Sequence, residues 1–442
     1  MALGGGFWVT QNKPLPGTYH NFISARRAFV NLTNRGFVAV PIQLNWGPDD
    51  GVFTVNAEDL QNSTLTVFGY DYLSEEMKGI RDLFKGANTV FFKKLALDGA
   101  TAATNTFADA KYKGTRGNDL NIVISSNVDD PATFDVRTFL GTLEVDVQFG
   151  VATANDLLPN DYVTFKTGAT LAVTAGTPLA GGLDGTGADT GTPHQAALEE
   201  LEPYGFNTLA CLSDEPTIKT LYVEYTKRIR DEVGAKFQTV IHKATTPDHE
   251  GVINVENDAV GLNEVAHGAV YWVTGAQAGV AINQSNTNRL YNGEFTLSMA
   301  DTNTQTKLIN LIKEGKYAFH GVGADVRVLD DINSFVSFTD DKNEDFSQNQ
   351  LIRIIDQIAI DTANIFNTRY LGKVPNDADG RISLWNDIGT HRLELQRLRA
   401  IQNYNVNELI IRPGQQKGAV EAYEVIEWTA TMTKLYVTTV VA

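Results

Sequence analysis

A single cysteine, Cys211, stands among 442 residues. One thiol excludes an intramolecular disulfide and any zinc site built on several thiolates. Nothing therefore ties folding to an oxidising compartment. Basic residues are also short: 36 Lys and Arg face 53 Asp and Glu, a formal net charge of −17. So acidic a surface repels nucleic acid and anionic lipid, and no direct nucleic-acid partner is expected. Long apolar runs are missing too. The most apolar segment, Gly268 to Ile282, is too short to span a bilayer and is interrupted by Thr274 and Gln277. It reads as a buried helix, and no membrane insertion is expected. The opening MALGGGFWVTQNK lacks the basic and apolar regions of a signal peptide, so synthesis and folding in a cytoplasm are the expectation.

Catalytic motifs are missing as well. His249-Glu250-Gly251 opens like a zincin helix, but Ile253 stands where the second histidine must be. There is no G-x-S-x-G elbow, and neither Gly315-Lys316 nor Gly372-Lys373 continues into a P-loop. Gly182, Gly185, Gly187 and Gly191 form too loose a pattern for a phosphate cradle and read as a flexible linker. His242 and His249 read as surface histidines, not a shared metal pair. Asp341, Asn343 and Asp345 resemble the start of a calcium loop, but the turn glycine is lacking. They read as a solvated acidic start to a helix. No catalytic, metal or cofactor-binding residue is assigned, and no cofactor is expected.

What is present is ample material for cores: 43% hydrophobic and 20% charged residues, in a length that suggests three or four folding units. Residues 1–28 read as an N-terminal arm. Flexible glycines and KPLPG carry Phe7, Trp8, Val9, Tyr19 and Phe22 with no core of their own. These groups must bury against the arm's own domain or against a neighbour. Residues 29–94 alternate strand and helix and open an α/β core. Residues 95–185 hold only short alternating strands joined by Gly, Asn, Asp and Pro, which predicts an inserted small all-β sandwich. Residues 186–334 resume βαβ alternation, which implies a parallel sheet with flanking helices. Residues 335–430 read as a C-terminal α+β domain. Its first helix is expected to start at an N-cap Ser347 and to present a stripe of Leu351, Ile355, Ile358 and Ile365. The second carries Leu384, Ile388, Leu395 and Leu398 in line. The fold class is thus multidomain α/β and α+β, with extended arms at both ends.

The last segment, residues 431–442, poses a question. Leu435, Val437, Thr439 and Val441 share one face of a strand, and Tyr436, Thr438 and Val440 share the other. Both faces are apolar or β-branched, and no partner strand follows. Such a strand either lies inside its own sheet or is completed by another chain.

Several stretches resemble the tail sheath proteins of contractile bacteriophage tails, in the form found in phages and prophages of Gram-positive bacteria. They are GGGFWVTQNKPLPGTYHNF, RGFVAV, KYKGTRGNDLNI, LAGGLDG, QNQLIRIIDQIAIDTANIFNTRYLGKVPN and the closing MTKLYVTTVVA. Their order along nearly the whole chain carries the likeness. The resemblance implies a structural subunit and no enzyme, with a central domain subtilisin-like in fold but non-catalytic. It implies a sandwich facing outward, a C-terminal domain facing an inner tube, and arms that add strands to neighbouring subunits. The implied partners are further copies of the chain in a helical homopolymer of stacked rings, the inner tail tube protein, and baseplate and tail terminator proteins. The implied setting is a phage tail, made and assembled in the host cytoplasm, that contracts to drive the tube through a cell envelope. Within it, the basic face of the second C-terminal helix, Arg392, Arg397 and Arg399 against Glu394, is a candidate contact for an acidic tube. A capsid-less contractile bacteriocin or injection device fits the same stretches. An α/β hydrolase-like enzyme has no motif to support it, and a secreted adhesion module conflicts with the absent signal peptide.

Overall fold

The computed structural model describes residues 34–262 and 264–441. The apolar run FVAVPI forms β1 (Phe37–Ile42), buried at all but its first position. β2 (Phe53–Asn56), α1 (Leu60–Phe68), α2 (Lys78–Phe84) and β3 (Thr89–Lys94) follow. The chain then leaves the core for seven strands. These are β4 (Ala102–Thr104), β5 (Ala108–Lys113), β6 (Leu120–Ser126), β7 (Phe134–Leu140), β8 (Leu143–Val151), β9 (Val163–Phe165) and β10 (Thr174–Pro178). It returns through α3 (Gly191–Leu201), β11 (Thr208–Ala210), α4 (Pro216–Lys227), β12 (Gln238–His242) and β13 (Val252–Val255). Next come α5 (Gly268–Gly279), α6 (Gln305–Lys313), β14 (Lys316–Tyr317), β15 (Phe319–Val322) and β16 (Asp325–Val328).

The core sheet has seven strands in the order β14-β13-β12-β11-β1-β3-β2. All neighbours are parallel except β2, which runs antiparallel to β3. Both faces are covered, as a parallel sheet requires. Val38, Val40, Val240 and Ile253 pack on one face with Trp272 and Val273 of α5. Ala39, Leu209 and Ile241 point the other way, onto Leu198 of α3 and Ile218 and Tyr222 of α4. The expected buried helix is α5. It approaches α2 so closely that a Cβ at Gly275 would lie 2.0 Å from the Leu83 carbonyl oxygen.

The insertion is a sandwich of a four-stranded sheet, β10-β6-β7-β8, on a three-stranded one, β4-β5-β9. Its interior includes Trp46 from the core, whose indole N–H donates to Thr66 O (3.0 Å). The Gly-rich stretch after β10 is not the flexible linker expected. Ala180, Leu183 and Thr186 form β-bridges to Thr104, Thr101 and Asp98. Thr115 N donates to Asp184 Oδ1 (2.7 Å), and Gly182 N to Asn118 Oδ1 (2.8 Å). KYKGTRGNDL and LAGGLDG thus meet as the neck of the sandwich. Glycine is needed there: a Cβ on Gly182 would lie 2.4 Å from Gly114 O, and one on Gly114 2.0 Å from Asn45 O.

The C-terminal unit holds α7 (Asn349–Ile365), α8 (Ala378–Arg397), β17 (Ile401–Gln402), β18 (Ile410–Pro413), β19 (Val420–Tyr423) and β20 (Glu427–Trp428). Ser347 is not the N-cap of α7. It ends a short 3₁₀ turn, its hydroxyl donates to Glu344 O (2.7 Å), and Gln348 occupies the cap. The expected apolar stripe is only part of the buried face. Ile355 and Ile358 are half-buried, whereas Asn349, Arg353, Asp356 and Asp361 are buried. Each of these polar groups meets a partner from elsewhere. Asn349 Oδ1 accepts from Gln238 (2.9 Å), and Arg353 Nη2 pairs with Asp331 Oδ2 (3.0 Å). Asp356 takes two bonds from Arg230 (2.8 Å each), and Asp361 pairs with His391 (2.7 Å). Burial alone would raise the Asp331 carboxyl, but Arg353 and donors from Asn286, Gln277 and Asn349 outweigh it and hold it below the usual carboxylate range.

Candidate assembly site

Two features of the C-terminal unit are incomplete in one subunit. The first is the segment after β20. β20 pairs with β17, and Thr429 N still donates to Ala400 O (2.9 Å). Gln350, buried on α7, then holds the backbone twice, donating to Thr429 O (3.0 Å) and accepting from Thr431 N (3.1 Å). Beyond that anchor, residues 432–441 form no strand and make no backbone bond among the described residues. Leu435 and Tyr436 are each 88% exposed, Val440 86% and Val437 72%, and Thr438 is exposed as well. Among the described residues this segment has no partner strand, so it has no place inside a sheet that they form.

The second feature is the β18–β19 hairpin. Its strands pair antiparallel, Ile410 with Tyr423 through Pro413 with Val420, and nothing else joins them among the described residues. Ile411 and Val420 face α8. Ile410 and Tyr423 stay 51% and 65% exposed, and both outer edges keep unpaired backbone groups. β18 is not resolved by the sequence analysis. The signal was there in IIRPGQQKGAVEAY, a β-branched run and a Pro-Gly turn before the next strand.

The expected arm residues Phe7, Trp8, Val9, Tyr19 and Phe22 lie outside the described residues. The three arginines expected on the second helix separate, and Arg399 lies beyond α8 at a positive φ of 60°. Arg392 is buried and cannot serve as an exposed tube contact. Its guanidinium bonds Glu424 (2.7 Å), Thr362 (2.9 Å) and His391 Nδ1 (2.6 Å). At position 392 the side chain points at α7, so helical periodicity puts it inside. Arg397 and Arg399 are exposed, with Arg397 paired to Glu394 (2.6 Å).

The histidines are not on the surface either. His242 is buried at the end of β12, with Nδ1 2.9 Å from Asp214 Oδ1 and Nε2 2.9 Å from Asp258 Oδ1. Burial raises the Asp214 carboxyl, but bonds from His242 and His267 outweigh it and hold it well below its usual range. His249 belongs to a separate cluster with Asp231 and Glu250, whose ligand atoms all lie within 4.8 Å of one another. Gly251 N donates to its Nδ1 (3.0 Å), which leaves the ring proton on Nε2, toward Asp231 Oδ2 (3.1 Å). A metal would need that nitrogen bare, so the cluster reads as an ion-pair network completed by Lys342 on Glu250 (2.6 Å). Among the described residues no helix is long and apolar enough to cross a membrane.

Four family models match in sequence along the chain. They are the tail sheath protein Gp18 domain III N-terminal region over 35–91, the phage tail sheath β-sandwich domain over 98–184, the central domain over 187–334 and the C-terminal domain over 341–442. The chain is 32% identical to the phage-like element PBSX protein XkdK of Bacillus subtilis, over 80% of each chain. The sheath tail protein of Desulfitobacterium hafniense superposes with a TM-score of 0.81 at 32% identity, covering 95% of this chain and 99% of that one. That of Listeria innocua gives 0.77 at 28%, covering 91% and 93%. The four domain models run in unbroken order, and relatives above 30% identity are matched over most of their length: this chain belongs to the phage tail sheath protein family, whose members are structural proteins and not enzymes.

Proposed function

We propose that this subunit polymerises helically around an inner tail tube by exchanging β-strands through both termini. The observation that carries the reading is the segment beyond Gln350: an apolar, β-branched run left in solvent, in a subunit that also offers a hairpin with two open edges. Strand addition supplies main-chain bonds for strength and alternating side chains for register. Two open edges suit two arms, residues 431–442 of one neighbour and residues 1–28 of another. A donor on one copy and an acceptor on the next make a heterologous contact, which closes into rings or runs on as a helix. Several arms per subunit give avidity, so contacts persist while subunits move.

In this reading the sheath assembles in the host cytoplasm as an extended lattice held by a barrier. The baseplate triggers it and a terminator ends it. Subunits turn largely as rigid bodies, the arms act as hinges, and the tube is driven through the envelope without nucleotide hydrolysis. The C-terminal unit faces the tube, with Arg397 and Arg399 as its exposed cations, and the sandwich faces outward. A capsid-less contractile device would use the same subunit.

Deleting Met432 to Ala442 tests the proposal. The shortened chain is expected to stay folded and soluble by circular dichroism, yet to give no cylinders in negative stain. Polymers of normal length from that variant would refute strand exchange through this end.

A further inference from the structure

One groove in the C-terminal unit is used by none of the contacts described above. It lies between the end of α7, the loop joining α7 to α8, and the tip of the β18–β19 hairpin, and measures about 440 Å³. Phe366, Tyr370, Val374, Leu384 and Val420 supply apolar walls, while Lys417 and Arg381 add two cations. Six of the thirteen lining residues come from the RYLGKVPN stretch. Leu371 and Val374 are left 58% and 39% exposed in it. The aromatic wall is held in place: Phe366 and Tyr370 stack at 6.4 Å, and the Tyr370 hydroxyl donates to Asp387 (2.7 Å). β19 forms part of the lining and β18 none, so a third strand laid beside β19 would cover the groove.

We propose that the groove seats Tyr436 of a second copy, as the side-chain anchor of the added strand; this rests on the strand-exchange reading above. Tyr436 is the one aromatic group of the exposed segment. Its ring suits an aromatic and aliphatic pocket, and its hydroxyl and ring face suit Lys417 and Arg381. Thr438 and Val440, on the same face of the strand, would then follow the inner side of the hairpin.

The subunit cannot fill its own groove. Its segment is pinned at Thr431 by Gln350, near the start of α7. Tyr370 lies twenty residues further on, about 30 Å at the helical rise. The five residues from Thr431 to Tyr436 span at most about 18 Å when fully extended. Even with the reach of a tyrosine side chain, the ring falls short. An occupant taken from residues 432–441 must therefore come from another copy.

Two experiments on the full chain test this. The first places a benzophenone photo-crosslinking residue at position 436 and assembles a mixture of isotopically light and heavy subunits. Mixed-label cross-links to peptides spanning 366–384 or 417–420 are expected. Mixed-label cross-links to any other surface overturn the groove but leave strand exchange standing. The absence of any mixed-label cross-link overturns both. If a photo-crosslinker at Trp8 reaches the groove and one at 436 does not, the N-terminal arm is the occupant and the proposal falls.

The second experiment is Gly418→Trp. A Cβ at Gly418 meets nothing within 4 Å, so the indole enters open space beside the groove. Unchanged thermal unfolding with loss of polymers is expected. Normal polymerisation of that variant overturns the proposal. Tyr436→Ala should raise the concentration needed for assembly by about thirtyfold, as loss of a central anchor does. Tyr436→Phe should leave it within about threefold of the parent if the ring, more than the hydroxyl, is the anchor. An unchanged threshold for Tyr436→Ala overturns it.

Discussion

Replacing Arg353 with methionine tests the polar seam that holds α7 against the central sheet. The Arg353 side chain is 2% exposed and that of Asp331 fully buried. The guanidinium makes three bonds, to Gln277 Oε1 (2.6 Å), Gln284 O (2.8 Å) and Asp331 Oδ2 (3.0 Å). Methionine keeps much of the volume and removes all three. The larger cost is the carboxylate left behind without its counter-charge. Breaking a buried pair from one side costs about 3–5 kcal/mol. Asp331 keeps donors from Asn286 N (2.9 Å) and Asn349 Nδ2 (3.0 Å), which places the expected loss near the lower end, about 3 kcal/mol. Urea unfolding at neutral pH, followed by tryptophan fluorescence, measures it. Asp331→Asn removes the opposite charge, and the double variant should lose less than the sum of the two single losses by at least about 1 kcal/mol. A single loss below about 1 kcal/mol, or simple additivity, would refute the pairing as the source of stability.

Three further outcomes follow from the same geometry. Asp331 is held below its usual range in the folded state, so its contribution is full above the unfolded value near pH 4. It is lost as pH falls through the lower folded value; an acid titration of stability should show a destabilising limb below about pH 4 that Asp331→Asn reduces. Burial pushes the Cys211 thiol up to about 12, and the residue is fully buried, so a thiol reagent should label the native chain only at the rate of unfolding. Fast labelling in native buffer would contradict the packing of β11. Charge reversal separates the three arginines: Arg392→Glu should lower the melting temperature by leaving Glu424 against a like charge, whereas Arg397→Glu with Arg399→Glu should leave folding unchanged and weaken co-sedimentation with tube.

The parts legible in the sequence are those in which local pattern and tertiary role agree. FVAVPI is an apolar run because both faces of the sheet are covered. LNIVISS alternates because one face of β6 lines the sandwich. The terminal segment kept apolar residues on both faces, and it lies unpaired among the described residues. Other roles depended on partners far away along the chain. Arg230 and Asp356 sit 126 residues apart, so no window of sequence shows that these two charges neutralise each other inside the protein. Periodicity therefore picked out only the apolar stripe of α7. The histidines were misplaced for the same reason, since burial of an imidazole is decided by carboxylates contributed from other loops. Gly182 read as slack, whereas it is small because the backbone at Gly114 passes against it.

The seam along α7 also settles where the molecule can give. Buried ion pairs at Arg353 and Asp356 tie α7 to the central unit, and a third at Asp361 near its far end ties it to α8. Load applied at α8 passes to α7 through His391 and Arg392 and on to β12 and the Asp331 loop without a soft element in its path. At the C-terminal end that bonding stops at Gln350, whose two backbone bonds are the last among the described residues. In the proposed lattice the subunit would act as a stiff block on a leash, with displacement between copies taken up by the leash.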